Sequence, residues 1–382
     1  MPIEFQRSWS TPEIESYRDT VIRFIEEHVL PDDEAARHRG HVGHAPWRAA
    51  GALGLLCTDI PEQWGGAGGD FRHEAVFYEE MARRALSGMN TSVHTIVAHY
   101  LLNHGSDEQK RRWLPRLVRG ELVGAIAMTE PGAGSDLRGI RTRATPTAGG
   151  WSLHGSKTFI SNGHLAELVL VVARTDGGTK GTGLSIFAVE TQGRPGYRVG
   201  RLLEKVGLKA QDTAELFFDG VEVTRDELLG GQEGQGMRQL MADLPYERLI
   251  IAVMAVAAME GAYSAALAHV REREAFGHPL GEFQTVRHRL AELATEVQVG
   301  RAFVDRCVAS MLVGSLDTVT ASMAKLWASE AQGRVVDACV QLFGGYGYMT
   351  EYLVARLYAD ARVQRIYGGT SEIMKEVIAR GL

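Results

Sequence analysis

Cysteine is scarce in this chain, with three in 382 residues. Cys57, Cys307 and Cys339 stand far apart and form no CxxC pair, so a disulfide-stapled secreted scaffold is excluded. They read as buried free thiols in a reducing cytoplasm. None is read as a reactive thiolate. An excess of positive charge is also lacking. Lys and Arg total 41 against 47 Asp and Glu, giving a net charge of -6 and a pI of about 6.1, which argues against a nucleic-acid surface. Long apolar runs are missing too: the longest, Leu249 to Met259, is too short to span a bilayer. The start, Met1-Pro2-Ile3-Glu4-Phe5, lacks the basic and apolar segments of a signal peptide. No fixed-period repeat or low-complexity segment occurs.

What is present is a globular balance, 45% hydrophobic and 23% charged, in a chain long enough for two or three packed domains. Three zones follow one another, and we expect domains over 1–122, 123–234 and 235–382. The first is helical. Ile14, Tyr17, Val21, Phe24 and Ile25 recur at helical spacing. Thr11-Pro12 is a capping start, and Ser106 caps a helix whose first turn is acidic. Further helices are expected over Glu74–Ala85 and Val93–His104. The second zone changes to period two. Trp151–Gly155 and Lys157–Ile160 predict a hairpin, and Leu168–Ala173, Leu184–Val189 and Ala214–Phe218 predict strands. The third returns to long helices: Glu247–Arg271, Phe283–Leu312 and Leu316–Phe343.

Several suggestive motifs reduce to structure. Gly150 to Thr158 approximates a phosphate loop, but Ser156 separates Gly155 from Lys157, and a strand-like run follows where a helix N-terminus is needed. Gly230-Gly231 through Gly236 has no strand-turn-helix setting for a dinucleotide fingerprint. His38, His41 and His44 share a loop without companion thiolates or carboxylates, so no metal site is expected.

The segment Ala125-Ile126-Ala127-Met128-Thr129-Glu130-Pro131-Gly132-Ala133-Gly134-Ser135-Asp136 carries the strongest signal. Its small residues let backbone amides approach a ring system or phosphate, and Thr129 and Ser135 add hydroxyls. It resembles the flavin-binding signature of acyl-CoA dehydrogenases. Arg365 to Met374 resembles that family's second signature. Between them Lys157–Gly163, Gly207–Ala214, Glu272–Gly277 and Gln341–Gly347 fall in family order, most like the long-chain branch. The resemblance implies an α+β chain of the acyl-CoA dehydrogenase fold. An N-terminal helical domain, a middle β-barrel-like domain and a C-terminal four-helix bundle would follow one another.

The resemblance also implies FAD. Ile126, Ala127, Met128, Thr129, Gly134 and Ser135 would line the isoalloxazine, with Thr129 near the N5 edge and Ser135 reaching the thioester. Phe159, Ile160 and Ser161 would cover the ring. Arg273 and Gln284 would hold the adenine side, in a neighbouring subunit. Gln341, Leu342, Phe343, Gly344 and Gly345, with Thr370, Ser371 and Glu372, would complete the cofactor contacts.

Dehydrogenating a thioester requires a buried carboxylate to take a weakly acidic α-proton, donors to polarise the carbonyl, and a flavin face. Many family members carry the carboxylate directly after the tail tyrosine, where this chain has Gly368. The long-chain and isovaleryl branches place it where this chain has Glu247. By local sequence alone, Glu247 is an ordinary helix-start acid. Set against Gly368 and the flavin motifs, it becomes the candidate base. Gly368 and Gly369 would face the thioester, and Arg238, Pro245, Tyr246 and Arg248 match substrate-lining positions. The implied assembly is a homotetramer that accepts acyl-CoA and passes electrons to an electron-transferring flavoprotein, with no nucleic-acid or membrane partner. Three other readings remain: an acyl-carrier-protein substrate, a flavin oxidase or monooxygenase on the same fold, and a non-catalytic binding subunit.

Overall fold

The computed structural model describes residues 5–175 and 183–382; the leader expectation at Met1–Glu4 lies outside them. The N-terminal part contains α1 (Pro12–Phe24), α2 (Asp33–Arg39), α3 (Ala45–Ala52), α4 (Phe71–Arg83), α5 (Thr91–His104) and α6 (Asp107–Val118). Their starts follow from side-chain caps. Thr11 accepts from Ile14 N at 3.3 Å, with Pro12 in the first turn. Ser106 and Gln109 form a reciprocal capping box on α6.

The middle part is a seven-stranded curled sheet of β1 (Gly124–Ala127), β2 (Arg143–Thr147), β3 (Gly150–Ser161), β4 (Leu168–Arg174), β5 (Leu184–Glu190), β6 (Tyr197–Leu202) and β7 (Thr213–Thr224). β1 lies parallel to β4, whose other edge pairs antiparallel with β5. β2, β3, β7 and β6 continue as an antiparallel run.

The hairpin expected at Trp151–Ile160 is a single strand, β3. The glycine that suggested a turn serves a close approach instead. A Cβ on Gly155 would lie 2.4 Å from Oγ1 of Thr142, just before β2. β3 absorbs its irregularity as bulges against β7, the second between Lys157 and Ile160.

The C-terminal part comprises α7 (Gly236–Glu272), a short hairpin of β8 (Glu274–Ala275) and β9 (His278–Pro279), α8 (Gln284–Leu312), α9 (Thr318–Phe343), α10 (Leu353–Ala361) and α11 (Ser371–Ala379). α10 and α11 pack on α9 and close the bundle of three long helices. α7 begins well before Glu247, because Met237–Leu244 is itself helix-forming. Pro245 is carried inside the helix at the loss of one backbone hydrogen bond. Glu247 therefore sits about three turns in, beyond the reach of the helix-start dipole.

By length and composition α7 could cross a membrane, but 83% of its apolar window is buried inside this protein. It is the central helix of a core shared with α1, α4, α8 and α9. A buried ion network ties this core together: Arg301 on α8 reaches Glu79 of α4 at 2.6 Å and Glu260 of α7 at 2.7 Å. The three cysteines are free and buried. No group of three or more potential metal ligands occurs among the described residues.

Candidate active site

Glu247 is buried, 7% exposed, on the α7 face turned to α5. Its Oε1 accepts a hydrogen bond from the Tyr100 hydroxyl at 3.0 Å. Burial pushes the carboxyl up to about 7; the Tyr100 bond opposes this, Asp243 adds to it, and Arg248 opposes it more weakly. Asp243, one turn earlier on α7, accepts from Asn103 Nδ2 at 2.6 Å and pairs with His104 Nε2 at 2.8 Å. Tyr100, Asn103 and His104 are three and four residues apart and share one face of α5. α5 is fixed to the sheet as well. His94 takes a bond from Gly124 N at 3.0 Å through Nδ1 and reaches Leu117 O at 3.1 Å through Nε2. Burial lowers the His94 pKa to about 4, so the ring is neutral and Nε2 carries the donated proton.

Gly368 lies against the same α7 face. It adopts φ +63°, and a Cβ there would lie 2.4 Å from Cδ1 of Ile251. Ile251 is one turn after Glu247, so the two side chains share a face. The residue that lacks a carboxylate therefore packs beside the helix that carries one. Gly369, at φ +96°, offers its carbonyl to Lys325 Nζ at 2.6 Å. Lys325 is buried on α9. Burial, reinforced by Arg248, lowers its pKa to about 8.

The other substrate-side expectations separate. Arg248 turns to α9, with Nη1 donating to Ser322 Oγ at 3.0 Å. Tyr246 stacks on His99 at 4.0 Å and donates to Asp59 at 3.1 Å, facing the N-terminal helices. Pro245 is half-buried within α7. Arg238 is exposed near the helix start and bonds Gln235 at 3.0 Å. It stands about 13 Å along the axis from Glu247.

The loop after β1 is riveted to β3. Lys157 Nζ donates to Met128 O at 3.0 Å and to Glu130 Oε1 at 2.9 Å, and Thr158 N donates to Thr129 O at 2.9 Å. The Glu130 carboxylate also accepts from Arg141 N at 2.6 Å and Thr142 N at 2.9 Å. Burial brings Lys157 down to about 8; Glu130, despite burial, is held below the usual carboxylate range by Lys157 and its other donors. The lysine of the false phosphate loop is thus a structural cation.

Beyond this rivet the loop is open. Ile126 and Ala127 end β1, while Gly134 and Ser135 are exposed. A Cβ on Gly132 or Gly134 would meet nothing within 4 Å. Phe159 stands 67% exposed at φ +59° in the second β3 bulge. A phenylalanine in the left-handed region with its ring uncovered is costly, and it suits a flat aromatic partner. Ile160 is buried beside it, and Ser161 accepts from Gln211 at 3.0 Å. These residues fit a flavin ring.

A concavity of about 620 Å³ is lined by Arg273, Gln341, Leu342, Phe343, Gly344 and Gly345, with His269, Tyr346 and Met349 among its other walls. His269 stacks on Phe343 at 4.1 Å, and Arg273 lies 5.7 Å from the Tyr346 ring centre. Gln284, at the exposed start of α8, is not part of this wall. Thr370 caps α11 by accepting from Ile373 N at 3.3 Å, Ser371 donates to Glu330 at 2.7 Å, and Glu372 is exposed in the first turn. No residue of the middle seven-stranded sheet lines this concavity. Tyr100 and Lys325 carry no sequence signal, because each lies in an apolar-patterned helix far along the chain from the residue it serves; Asp243, one helical turn before Glu247, was findable by spacing. His269 was findable, one helical turn before Arg273.

Three family models match the chain: acyl-CoA dehydrogenase N-terminal domain over 11–121, middle domain over 125–221 and C-terminal domain over 234–382. The chain belongs to the acyl-CoA dehydrogenase family, flavoprotein oxidoreductases that use FAD. It is 48% identical over 367 residues to the mitochondrial long-chain specific acyl-CoA dehydrogenase of Sus scrofa, covering 95% of this chain and 85% of that protein. An acyl-CoA dehydrogenase structure from Geobacillus kaustophilus superposes with a TM-score of 0.93 at 42% identity, covering 98% of this chain and 99% of that one. A Mycobacterium smegmatis glutaryl-CoA dehydrogenase in complex with FADH2 has a TM-score of 0.89 at 27% identity, covering 97% and 95%. The helix-sheet-helix order expected from the motifs is the order observed.

Proposed function

We propose that this chain converts a saturated acyl-CoA to the trans-2-enoyl-CoA, with Glu247 as the α-proton base. The supporting observation is a buried carboxylate with its pKa raised to about 7, on the α7 face against which Gly368 packs. A base needs a proton affinity near working pH, and burial, reinforced by Asp243, supplies it. The Gly368 amide, on a turn pinned by Lys325, is the proposed donor to the thioester oxygen. Negative charge developing there makes the α-proton removable. FAD, when bound, supplies the acceptor for the β-hydride at N5.

In this reading Ile126–Thr129, Gly134, Ser135 and Phe159–Ser161 hold the ring from one copy. Arg273 and Gln284 hold the adenine side from another, within a homotetramer, and Gln341–Gly345 and Thr370–Glu372 supply the remaining cofactor contacts. The C-terminal concavity, which no residue of the middle sheet lines, supports that division. The domain limits proposed are 122 and 234. Arg238, Pro245, Tyr246, Arg248 and Gly369 remain proposed substrate-region residues, the first and third by family position alone. An electron-transferring flavoprotein is the proposed electron acceptor, and the cytoplasm, on the three free cysteines, the proposed compartment.

The test is anaerobic flavin bleaching of the holoenzyme against a panel of acyl-CoAs and acyl-carrier proteins, with Glu247→Gln alongside. The variant is expected to stay yellow and not bleach. Bleaching at the wild-type rate would remove Glu247 from the role. Bleaching only by carrier-bound acyl groups would move the substrate to that class.

A further inference from the structure

Three polar side chains on one face of α5 engage the only two carboxylates on the facing stretch of α7. Tyr100 donates to Glu247 at 3.0 Å, while Asn103 and His104 hold Asp243 at 2.6 and 2.8 Å. The i, i+3, i+4 spacing of the first set matches the i, i+4 spacing of the second, so each contact supports the register of the other. Tyr100, Asp243 and Glu247 are buried, His104 is half-buried and Asn103 closes the outer, exposed end of the set; Tyr100 has no exposure at all. A buried phenol that has one recorded partner, the proposed base, is more than packing. Phenylalanine would fill the same volume without a hydroxyl to satisfy.

We propose that α5 positions the base, with Tyr100 as the positioning residue that orients the Glu247 carboxylate and stabilises its ionised form. Asp243, locked by Asn103 and His104, stabilises the protonated form. This rests on Glu247 being the base. The Tyr100 bond occupies Oε1, and Oε2 is left to take the α-proton. The charged and titratable groups around Glu247 are few. Tyr100 and His104 face it from α5, Asp243 and Arg248 share α7, and Lys325 on α9 stands beside Arg248. The two nearest act in opposite senses. A hydrogen bond to the carboxylate favours ionisation, and a neighbouring negative charge opposes it.

The experiment reads the pH dependence of the anaerobic bleaching rate in flavin-loaded tetramers or whatever assembly the holoenzyme forms. Wild type, Tyr100→Phe, Asp243→Asn and Glu247→Gln are compared at saturating acyl-CoA. In Tyr100→Phe the acidic limb is expected to move up by about one pH unit, with bleaching roughly fivefold slower at pH 7, approaching tenfold well below the limb, and little change in half-saturating substrate. In Asp243→Asn the limb is expected to move down. Two variants that merely loosen the helix pair would not shift the limb in opposite directions. A Tyr100→Phe limb that stays in place or falls overturns the proposal. If Tyr100→Phe does not retain flavin, Asp243→Asn decides, and a limb that fails to move down overturns it. Glu247→Gln separates the two readings. If it bleaches normally, the base assignment fails and this inference with it. If it is silent while Tyr100→Phe keeps the wild-type limb, only this inference fails.

Discussion

Gly368 and Ile251 meet so closely that a Cβ on the glycine would lie 2.4 Å from the isoleucine Cδ1. The tail turn and α7, which carries Glu247, are therefore in contact one helical turn from that carboxylate. Two costs attach to any side chain here, the close approach and the φ of +63°. Gly368→Ala is expected to lose roughly 1–3 kcal/mol of stability, measured by denaturant unfolding of the holoenzyme. Ile251→Val deletes the clashing methyl. The double variant should recover the steric part and keep the backbone part. Full additivity of the two single effects would show that the contact is not the cause.

The Glu247 pKa of about 7 has a kinetic and a thermodynamic consequence. The base must be ionised, so kcat/KM should fall as pH drops through about 7. The stability effect runs the other way. The folded-state pKa is raised above the ordinary 4.5, so the stabilising protonated form is fully present below the unfolded value and is lost as pH rises through 7. Glu247→Gln has no such penalty. It should be more stable than wild type at pH 8, by on the order of 3 kcal/mol, with the gap closing toward pH 5. Equal unfolding midpoints at both pH values would contradict the raised pKa.

Lys157 bonds Glu130 and the Met128 carbonyl at once. Lys157→Met leaves the Glu130 carboxylate buried without its cation, at an expected cost of about 3 kcal/mol. The loop that carries Thr129 and Ser135 would also loosen, so flavin should dissociate more readily on gel filtration. Phe159→Ala tests the adjoining surface without touching the ion pair. Losing one aromatic face should weaken flavin retention by about tenfold while leaving the unfolding of the apoprotein little changed. Wild-type retention in the alanine variant would remove Phe159 from the ring site.

Arg301 neutralises Glu79 and Glu260 in a core that water does not reach. Arg301→Met should cost about 3–5 kcal/mol, because two buried carboxylates lose their shared partner. Calorimetry reads this directly. A loss below about 1 kcal/mol would mean the acids are satisfied by Arg7 and Arg83, which also reach them.

Much of this architecture was legible in the sequence. Period changes near residues 122 and 234 separate helices from sheet, and Thr11, Ser106 and the Gly132–Ser135 loop have local physical signatures. The errors share a cause. Gly155 suggests a hairpin turn and Glu247 a helix start, yet tertiary packing sets their places, a close approach to Thr142 and a helix interior that tolerates Pro245. The second sphere of the site was illegible for a related reason. Tyr100 and Glu247 are 147 residues apart, and no short-range pattern encodes a pairing between two helices. Glu247 itself became a candidate only through the missing carboxylate at 368.

α5 touches both halves of the chemistry. Through His94 it holds the first residue of β1, the strand that leads into the flavin loop, and through Tyr100 it holds the carboxylate. The two hydrogens lost from adjacent carbons leave in opposite directions, so the gap between their destinations has to match a substrate of fixed size. A helix is stiff along its axis, and the span from His94 to Tyr100 is about 9 Å. If Glu247 is the base, as proposed, that span sets the gap between proton and hydride acceptors, and one residue inserted between 94 and 100 would rotate one end against the other by about 100°.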